Sequence, residues 1–279
     1  MNILITGING FLGSYVYKHF KNGNVIKGIA RSSNKLGDVE IYSSDQLLKI
    51  NFVPDVVIMC HAAVSSGNDS VLNNQLYDSN VAFTKSVSDK FKSSKLIYLS
   101  TVSIYDNTQL IKENSKINPK SEYAISKLWG ENIILNYEKA IVLRISSMYG
   151  NGMKENTIIP NYINQALSNS VIEVWGNGSR KQNYIHVSDV VKYLEAIIEN
   201  FESNNKTIFL GVSKTEHSNF ELSKIISNHT KAKVEFVNED YSTSYMYNNN
   251  FTTETLGFEP QVSFNEAIIN YIECQKKQY

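Results

Sequence analysis

The sequence has few cysteines, no excess of charge and no long apolar segment. Its 279 residues include two cysteines, Cys60 and Cys274, which lie far apart and show no metal-like spacing. This usage excludes a disulfide framework and favours a reducing compartment. Lys and Arg together number 27, as do Asp and Glu, so the net charge is zero. A broadly basic surface for nucleic acid is therefore not expected.

No apolar run approaches the length of a membrane-spanning helix, and the N-terminus leads into a predicted strand without a basic leader. We therefore expect a cytoplasmic protein that binds neither membranes nor nucleic acid, and we predict no metal site. The hydrophobic fraction of 42% is ordinary for a globular protein. The length allows one large domain, or a nucleotide-binding domain with a smaller partner.

The first thirteen residues combine a strand, a glycine-rich turn and the start of a helix. Residues 1–6 are largely apolar, and Gly7, Gly10 and Gly13 follow at three-residue spacing. The first glycine permits a sharp turn, the second lets a pyrophosphate approach the backbone, and the third permits close helix–strand packing. The helix N-terminus offers unpaired N–H groups to the phosphates. The pattern predicts a dinucleotide site; the alternative is a tight turn without a ligand.

Strands and helices alternate along the first half of the chain, which predicts a parallel sheet with right-handed crossovers. The expected fold class is α/β, a Rossmann-type doubly wound parallel sheet at residues 1–150. A smaller, partly discontinuous substrate-binding region follows at residues 151–279. Within it, residues of about 183–210 are expected to pack back on the Rossmann domain. Strands are predicted at 1–6, 25–30, 39–42, 56–60, 95–99, 140–145, 171–175, 183–187, 207–210 and 234–237. Helices are predicted at 11–20, 45–50, 72–91, 121–137, 158–167, 188–201, 220–229 and from 264, with Ser188 and Asp189 capping the sixth.

The end of the second predicted strand bears on the choice of cofactor. An acidic residue there binds the ribose 2′-hydroxyl of NAD, whereas an arginine suits the 2′-phosphate of NADP. This chain has Arg31 and Ser32 at that point, and no acidic residue beside them. NADP is therefore favoured and NAD stays possible; a solvent-exposed arginine at a strand end is the alternative interpretation.

Tyr123 and Lys127 lie four residues apart on a predicted helix and therefore share a face. A free tyrosine has a pKa of about 10, and lowering that value by about 3 units takes roughly 4 kcal/mol. We expect the lysine, a positively charged nicotinamide and desolvation to supply this together. Tyr17 and Lys21 show the same spacing, but only Tyr123 and Lys127 follow a strand that ends in Thr101. A hydroxyl there lies at the sheet edge where ligands bind in open α/β folds.

These motifs together resemble the extended short-chain dehydrogenases/reductases of the nucleotide-sugar epimerase, dehydratase and reductase group. The resemblance covers nearly the whole chain, through residues 6–13, 61–63, 80, 100–105, 123–127, 143–150, 175–176, 184–189 and 256–260. It implies cofactor contacts by Gly7, Asn9, Gly10, Phe11, Leu12, Arg31, Ser32, His61, Ala62, Asn80, Ser100, Tyr123, Lys127, Ile145 and Ser146. It implies catalysis by Thr101, Tyr123 and Lys127, and substrate contacts by Thr101, Ser103, Ser147, Trp175 and Gln182. A buried strand tryptophan is the other interpretation of Trp175. The resemblance also implies a homodimer formed through the helices at 72–91 and 121–137.

Departures from the family pattern narrow the expected activity. Dehydratases of this group follow the catalytic threonine with an Asp-Glu pair, and Val102 and Ser103 stand there instead. Arg31 favours exchangeable NADPH over the tightly held NAD of epimerases, and the chain is short for an epimerase. Gln182 stands where the family often has an arginine that binds the sugar-nucleotide diphosphate.

The sequence favours an NADPH-dependent reductase of a nucleotide-linked 4-keto (deoxy)sugar, with hydride transfer to the carbonyl carbon and Tyr123 as proton donor. The alternative is a nucleotide-sugar C4 epimerase with tightly bound NAD, which would use the same residues. A third interpretation is a binding module that senses NADP without turnover. The intact set of Thr101, Tyr123 and Lys127 argues against that third interpretation.

Overall fold

The computed structural model describes residues 1–31, 36–64, 70–106, 110–203 and 205–276. Ser32, one of the expected cofactor contacts, lies outside the described residues. The strands are β1 (Asn2–Thr6), β2 (Val25–Ala30), β3 (Glu40–Ser43), β4 (Val56–Met59), β5 (Lys95–Thr101), β6 (Leu110–Ile111), β7 (Ala140–Ile145), β8 (Ser147–Tyr149), β9 (Val171–Trp175), β10 (Lys181–His186), β11 (Ile208–Gly211), β12 (Glu216–Ser218), β13 (Lys233–Val237) and β14 (Met246–Tyr247). The α-helices are α1 (Phe11–Phe20), α2 (Ser70–Tyr77), α3 (Thr84–Lys90), α4 (Glu122–Ile134), α5 (Ile158–Asn169), α6 (Val187–Glu199), α7 (Asn219–Thr230), α8 (Asn250–Leu256) and α9 (Phe264–Lys276). A 3₁₀ helix (Ser44–Lys49) follows β3, and a π-helical turn (Asp78–Phe83) joins α2 to α3.

Seven parallel strands form the central sheet, in the order β3, β2, β1, β4, β5, β7 and β11. The strand order reverses between β1 and β4, and open α/β sheets bind ligands at such a switch point. Every residue of β4 is buried, as expected for a parallel strand covered on both faces. The predicted Rossmann-type doubly wound fold is confirmed.

Successive residues of a strand point to opposite faces of the sheet, and here they enter two different cores. Ile3 and Ile5 of β1 belong to the core that contains the buried face of α1 and most of α6. Leu4, between them, belongs to the core that contains Val87 of α3 and Ile134 of α4. Helices therefore cover both faces of the sheet and leave its carboxyl edge as the place for a site.

The chain after residue 150 builds smaller elements. β9 pairs with β13, and β10 lies between β8 and β12. Buried residues of α5, α7 and α9 form a separate core with the inner face of β9. β11 pairs with β7 of the main sheet, and α6 packs beside α1. The division at 150 and the return of about 183–210 to the first domain both stay predictions.

Differences from the predicted elements are local. β6, β8, β12 and β14 are only two or three residues long, too short to show a period of two. The expected cap of α6 is wrong: its N-cap is His186, whose Nδ1 accepts a hydrogen bond from the Ser188 N–H at 3.3 Å. The Asp189 carboxylate instead accepts from the backbone N–H groups of Gln261 and Val262, both at 3.1 Å. These two hydrogen bonds anchor the segment that leads into α9 to the start of α6.

Two further observations concern the described part of the chain. None of its helices combines the length and the apolar character needed to cross a bilayer. It also contains no group of three or more His, Cys, Asp or Glu side chains placed to hold a metal ion.

Candidate active site

The turn between β1 and α1 has no room for a side chain at Gly7 or at Gly13. Gly7 adopts a φ of +67°, and a Cβ there would lie 2.8 Å from the backbone nitrogen of His61. A Cβ on Gly13 would overlap the carbonyl oxygen of Gly7. Gly10 is the N-cap of α1 and donates its N–H to that same oxygen at 2.9 Å. The first N–H groups of α1, including those of Phe11 and Leu12, have no partner within the helix and are available to phosphate oxygens.

A cavity of about 880 Å³ lies at the carboxyl ends of β1, β2 and β4. Six of the expected cofactor residues line it: Gly7, Asn9, Gly10, Arg31, His61 and Ala62. Its volume falls within the usual range for ligand sites. The glycine turn, the helix N-terminus and the cavity together fit a dinucleotide, with the pyrophosphate at the turn.

The cavity also has lining residues that the sequence analysis did not single out. Ser44 and Asp45 reach it from the 3₁₀ helix after β3, and Gln75 and Asp78 reach it from α2 and the π turn. A signal for the first two was present in the sequence. They lie two and three residues after the strand predicted at 39–42, and parallel strands end at the same edge of the sheet.

His61 is a fixed, neutral part of the cavity wall. Its Nε2 lies 3.0 Å from Thr84 Oγ1, and its Nδ1 lies 2.5 Å from Thr6 Oγ1. Because Thr84 Oγ1 already donates to the carbonyl oxygen of Asn80 at 2.9 Å, it accepts from Nε2–H, and the Thr6 hydroxyl then donates to Nδ1. Burial, followed by the charge of Lys127, lowers the pKa of His61 to about 3. His61 therefore shapes the site and is not a proton donor.

Asn80 lies behind the cavity wall, outside the residues that line the cavity, and its contact with a cofactor stays a prediction. Its side chain is fully buried, and its Oδ1 accepts from the Ala63 N–H at 2.9 Å. Its Nδ2 donates to Ala63 O and to Ser126 Oγ, both at 2.9 Å. These bonds tie the loop after β4 to the π turn and to α4. Asn80 thus positions the chain next to Ala62, which does line the cavity.

Thr101 and Tyr123 meet where β5 and α4 approach each other. The Thr101 hydroxyl accepts from the Ser103 N–H at 3.2 Å and donates to Ser103 Oγ at 3.1 Å. The same hydroxyl acts on Tyr123, whose pKa it lowers. The Ser121 hydroxyl caps α4 by accepting from the Ala124 N–H at 3.2 Å, which fixes the helical turn that carries Tyr123. Ser103 therefore lies next to the predicted catalytic hydroxyls.

Lys127, one helical turn after Tyr123, is 1% exposed. Its Nζ lies 4.0 Å from the ring centroid of Tyr98, a residue of β5. Burial lowers the pKa of Lys127 to about 7, whereas the charge of Glu131 raises it. Near neutral pH the ammonium and amine forms are therefore both populated.

The pKa of Tyr123 differs in direction from the expectation. Burial raises it to about 12, and the hydrogen bond with Thr101 offsets this only in part. The expected lowering relied on a full charge at Lys127 and on a nicotinamide cation. Protein groups alone do not produce it, because burial works against both the phenolate and the ammonium.

Three further residues were expected at the nicotinamide side of the cofactor. Ser100 Oγ is buried and, within the described part of the chain, has no hydrogen-bond partner, so it is available to a ligand. Ser146 Oγ donates to Asn183 Oδ1 at 2.7 Å and so joins the end of β7 to β10. Ile145 is partly buried and packs against the main core. Of these three, Ser100 best fits a polar contact with a cofactor.

The expected substrate contacts beyond Ser103 are spread over β8, β9 and β10. Ser147 is exposed on β8. Gln182 Nε2 donates to Tyr184 Oη at 2.9 Å and to Asn219 Oδ1 at 3.3 Å, so its amide is held by protein groups. Trp175 is 56% exposed, so its interpretation as a buried strand residue is wrong. The substrate role of Trp175 stays a prediction.

The fold and the site define an enzyme of the extended short-chain dehydrogenase/reductase class, with a dinucleotide cradle beside a Thr–Tyr–Lys set. The model of the NAD dependent epimerase/dehydratase family matches residues 3–211, well over half of the chain. The chain belongs to this family, as its resemblance in sequence motifs predicted.

Curated relatives and solved structures agree with this assignment. The chain is 26% identical to a putative UDP-glucose 4-epimerase of Methanocaldococcus jannaschii, over 98% of each chain. It is similar in fold to the UDP-glucose 4-epimerase of Thermotoga maritima with UDP-glucose, with a TM-score of 0.86, 21% identity and coverage of 100% and 99%. The UDP-glucuronic acid 4-epimerase of Bacillus cereus in complex with NAD gives a TM-score of 0.84 at 20% identity, with coverage of 98% and 99%.

Proposed function

We propose that the protein is a nucleotide-sugar C4 epimerase that uses NAD. The similarity to a putative UDP-glucose 4-epimerase over 98% of each chain carries this proposal. It also removes the argument that the chain is short for an epimerase. Val102 and Ser103 offer no acid–base pair for dehydration. The epimerase therefore replaces the reductase as the preferred function.

In this proposal the chain's own residues move the proton of the sugar hydroxyl. NAD, when bound, would supply the acceptor for the hydride that leaves C4 of the sugar and the donor that restores it on either face of the ring. Tyr123 Oη takes the proton of the C4 hydroxyl and later gives it back, while the neighbouring Thr101 hydroxyl hydrogen-bonds the same oxygen. The Lys127 ammonium stabilises the Tyr123 phenolate. Substrate and product are epimers, so no net oxidation occurs.

The cavity at the glycine turn is the proposed site of the dinucleotide, and Gly7, Asn9, Gly10 and Ala62 would hold it. The test is the identity of the nucleotide released from the denatured, purified protein, read by mass. Retained NAD supports the epimerase. A protein that releases no NAD but binds added NADPH would contradict it and favour the reductase.

One observation favours the second candidate, an NADPH-dependent reductase of a 4-keto sugar nucleotide. Arg31 is exposed and lines the cavity at the end of β2, where a guanidinium suits a 2′-phosphate. In this case Tyr123 would donate its proton to the carbonyl oxygen as the hydride arrives at carbon. Oxidation of NADPH by 4-keto sugar nucleotides, with no epimerisation, would support this candidate. Cofactor binding without either turnover would favour the sensing module instead.

A homodimer is also part of the proposal, because α2 and α4 present apolar side chains to solvent. Tyr77 and Trp129 are 50% and 52% exposed, and their ring centroids lie 5.7 Å apart. Ile125, on the same helix as Trp129, is also half exposed. Apolar side chains grouped on one surface are typical of interfaces. Light scattering should show a dimer that Trp129→Glu converts to a monomer; a monomeric wild type would contradict the proposal.

A further inference from the structure

The ammonium of Lys127 rests on the face of a buried aromatic ring. Lys127 Nζ lies 4.0 Å from the centroid of the Tyr98 ring, well within the distance of about 6 Å at which a cation–π attraction acts. Tyr98 belongs to β5, three residues before Thr101, and its side chain is fully buried. The strand that carries Thr101 therefore also supplies the surface on which Lys127 rests.

The position of the Tyr98 ring is fixed by the chain around it. Its hydroxyl lies 3.5 Å from the carbonyl oxygen of Asn80 in the π turn. On α4, Gly130 leaves the space that the ring occupies, since a Cβ there would overlap the Tyr98 hydroxyl. Lys127 and Gly130 are three residues apart and lie on the same helical face. Tyr98 is thus held in place from the π turn and from α4.

Few of the other titratable groups around Lys127 carry a charge that could stabilise its ammonium. The titratable side chains that shift the pKa of Lys127, or that lie on the neighbouring turns and strands, are Cys60, His61, Tyr98, Tyr123 and Glu131. Burial keeps the first four neutral at neutral pH, because it raises the pKa of the thiol and phenols and lowers that of the imidazole. Among these five, Glu131 alone is anionic.

The charge of Glu131 is shared with a second cation. Arg144 Nη2 lies 2.7 Å from Glu131 Oε2, Arg144 Nε lies 3.0 Å from Oε1, and both side chains are buried. A bidentate pair of this kind commits the carboxylate to the guanidinium. The Lys127 ammonium is buried beside this pair and receives only part of the stabilisation by the Glu131 carboxylate. The face of the Tyr98 ring therefore also stabilises it.

We propose that Tyr98 is a positioning residue whose ring face holds the Lys127 side chain in its ammonium form at the active site. The kinetic meaning of this state rests on the proposed function, in which the ammonium stabilises the Tyr123 phenolate. The state itself is independent of turnover. It is a property of one lysine that can be titrated directly.

The test is an NMR titration of the Lys127 side chain in the full-length protein labelled with ¹³C-lysine. The signal is assigned by its absence in Lys127→Met. In Tyr98→Leu, the pKa of Lys127 should fall by about one unit, a tenfold change in the ratio of ammonium to amine. In Tyr98→Phe, which keeps the ring and removes the hydroxyl, the pKa should change by a few tenths of a unit at most.

Tyr193→Leu provides the matched control. Tyr193 is equally buried and belongs to the core on the other face of the sheet. Its hydroxyl donates to the carbonyl oxygen of Val212 at 3.4 Å. Its replacement removes a buried tyrosine of the same size without touching the ring under Lys127. The pKa of Lys127 should be unchanged in this variant, and an equal fall there would contradict a specific role for Tyr98.

Fluorinated phenylalanines at position 98 keep the proposal testable if Tyr98→Leu does not fold. They preserve the shape of the ring and weaken its negative face, so the pKa of Lys127 should fall stepwise with the number of fluorines. The proposal would be overturned if the pKa of Lys127 did not change with fluorination, or if it fell as far in Tyr98→Phe as in Tyr98→Leu. A wild-type protein that epimerises no sugar would count against the proposed function alone, because the titration requires no turnover.

Discussion

Helices α1 and α4 each carry a tyrosine followed four residues later by a lysine, and the two pairs have opposite surroundings. Lys21 is exposed at the C-cap of α1, and Tyr17 is partly buried. Lys127 is buried in α4, above the ring of Tyr98. Tyr123 lies in the first turns of its helix, where it meets the carboxyl end of β5. The same spacing thus gives a surface pair in one helix and a candidate catalytic pair in the other.

The difference shows that spacing along a helix does not create the chemistry. The start of α4 meets the sheet edge where ligands bind, whereas the C-cap of α1 is one full helix length beyond the glycine turn. The hydroxyl of Thr101 completes the site around Tyr123. Variants of the two pairs should therefore differ sharply, and the following predictions use that contrast.

The largest effect is expected from Tyr123→Phe. Loss of the proton carrier should reduce kcat by at least about 100-fold, while the affinity for NAD stays within a few fold. Tyr17→Phe, the matched variant on α1, should keep the wild-type kcat. Steady-state kinetics and cofactor titration measure both. Near-normal turnover by Tyr123→Phe would remove Tyr123 from the mechanism.

Lys127→Met should lose turnover and gain stability. Because the pKa of Lys127 is about 7 in the folded protein and about 10.5 when unfolded, its contribution to stability falls as the pH drops from 10.5 to 7. It then stays constant at lower pH. The gain in the free energy of unfolding should therefore be larger at pH 6.5 than at pH 10, as urea denaturation can measure.

Lys21→Met is the control for this pH dependence. Since Lys21 is exposed, its replacement should change the free energy of unfolding by at most about 0.5 kcal/mol at either pH. A similar pH-dependent gain in Lys21→Met, or a gain in Lys127→Met that does not change with pH, would contradict the account of a buried titrating lysine.

Gly130→Ala should destabilise the protein by about 1–3 kcal/mol, because the new methyl group overlaps the Tyr98 hydroxyl and crowds the carbonyl oxygen of Asn80. Adding Tyr98→Phe removes the overlapping oxygen and should restore part of the loss. Urea denaturation of both single variants and the double variant measures the coupling. Strict additivity would show that Gly130 and Tyr98 do not constrain each other.

The smallest effect is expected from Arg31→Asp. The new carboxylate at the end of β2 should weaken NADP binding relative to NAD by about tenfold, through repulsion of the 2′-phosphate. Lys21→Asp, which makes the same change of charge at the far end of α1, should leave the ratio of the two affinities unchanged. An unchanged ratio in Arg31→Asp would remove the main support for the NADPH-dependent reductase.

Long elements and the cofactor turn could be predicted from the sequence because their signals are local. The apolar run of β4 and the glycines after β1 need no knowledge of the rest of the fold. The contact between Tyr98 and Lys127, by contrast, joins a strand to a helix about thirty residues away and leaves no periodic pattern. Asn80 shows the same limit, since its burial depends on three separate segments.

Trp175 shows why exposure was hard to predict. It ends β9, a strand that pairs with β13 in a two-stranded sheet. Val174 faces the core, so Trp175 faces the opposite side of that sheet and is largely exposed. A sequence pattern shows that the two residues alternate, but it does not show that one face of the small sheet is left uncovered.

The most direct test of the proposed function is to incubate the purified protein with UDP-glucose or UDP-glucuronic acid, without added cofactor, and follow the sugar by NMR. An epimerase with retained NAD predicts conversion of one of them to a mixture with its C4 epimer, with no net formation of NADH. Loss of this activity in Tyr123→Phe would tie it to the site. Unchanged sugars, together with oxidation of NADPH by a 4-keto sugar nucleotide, would contradict the proposal.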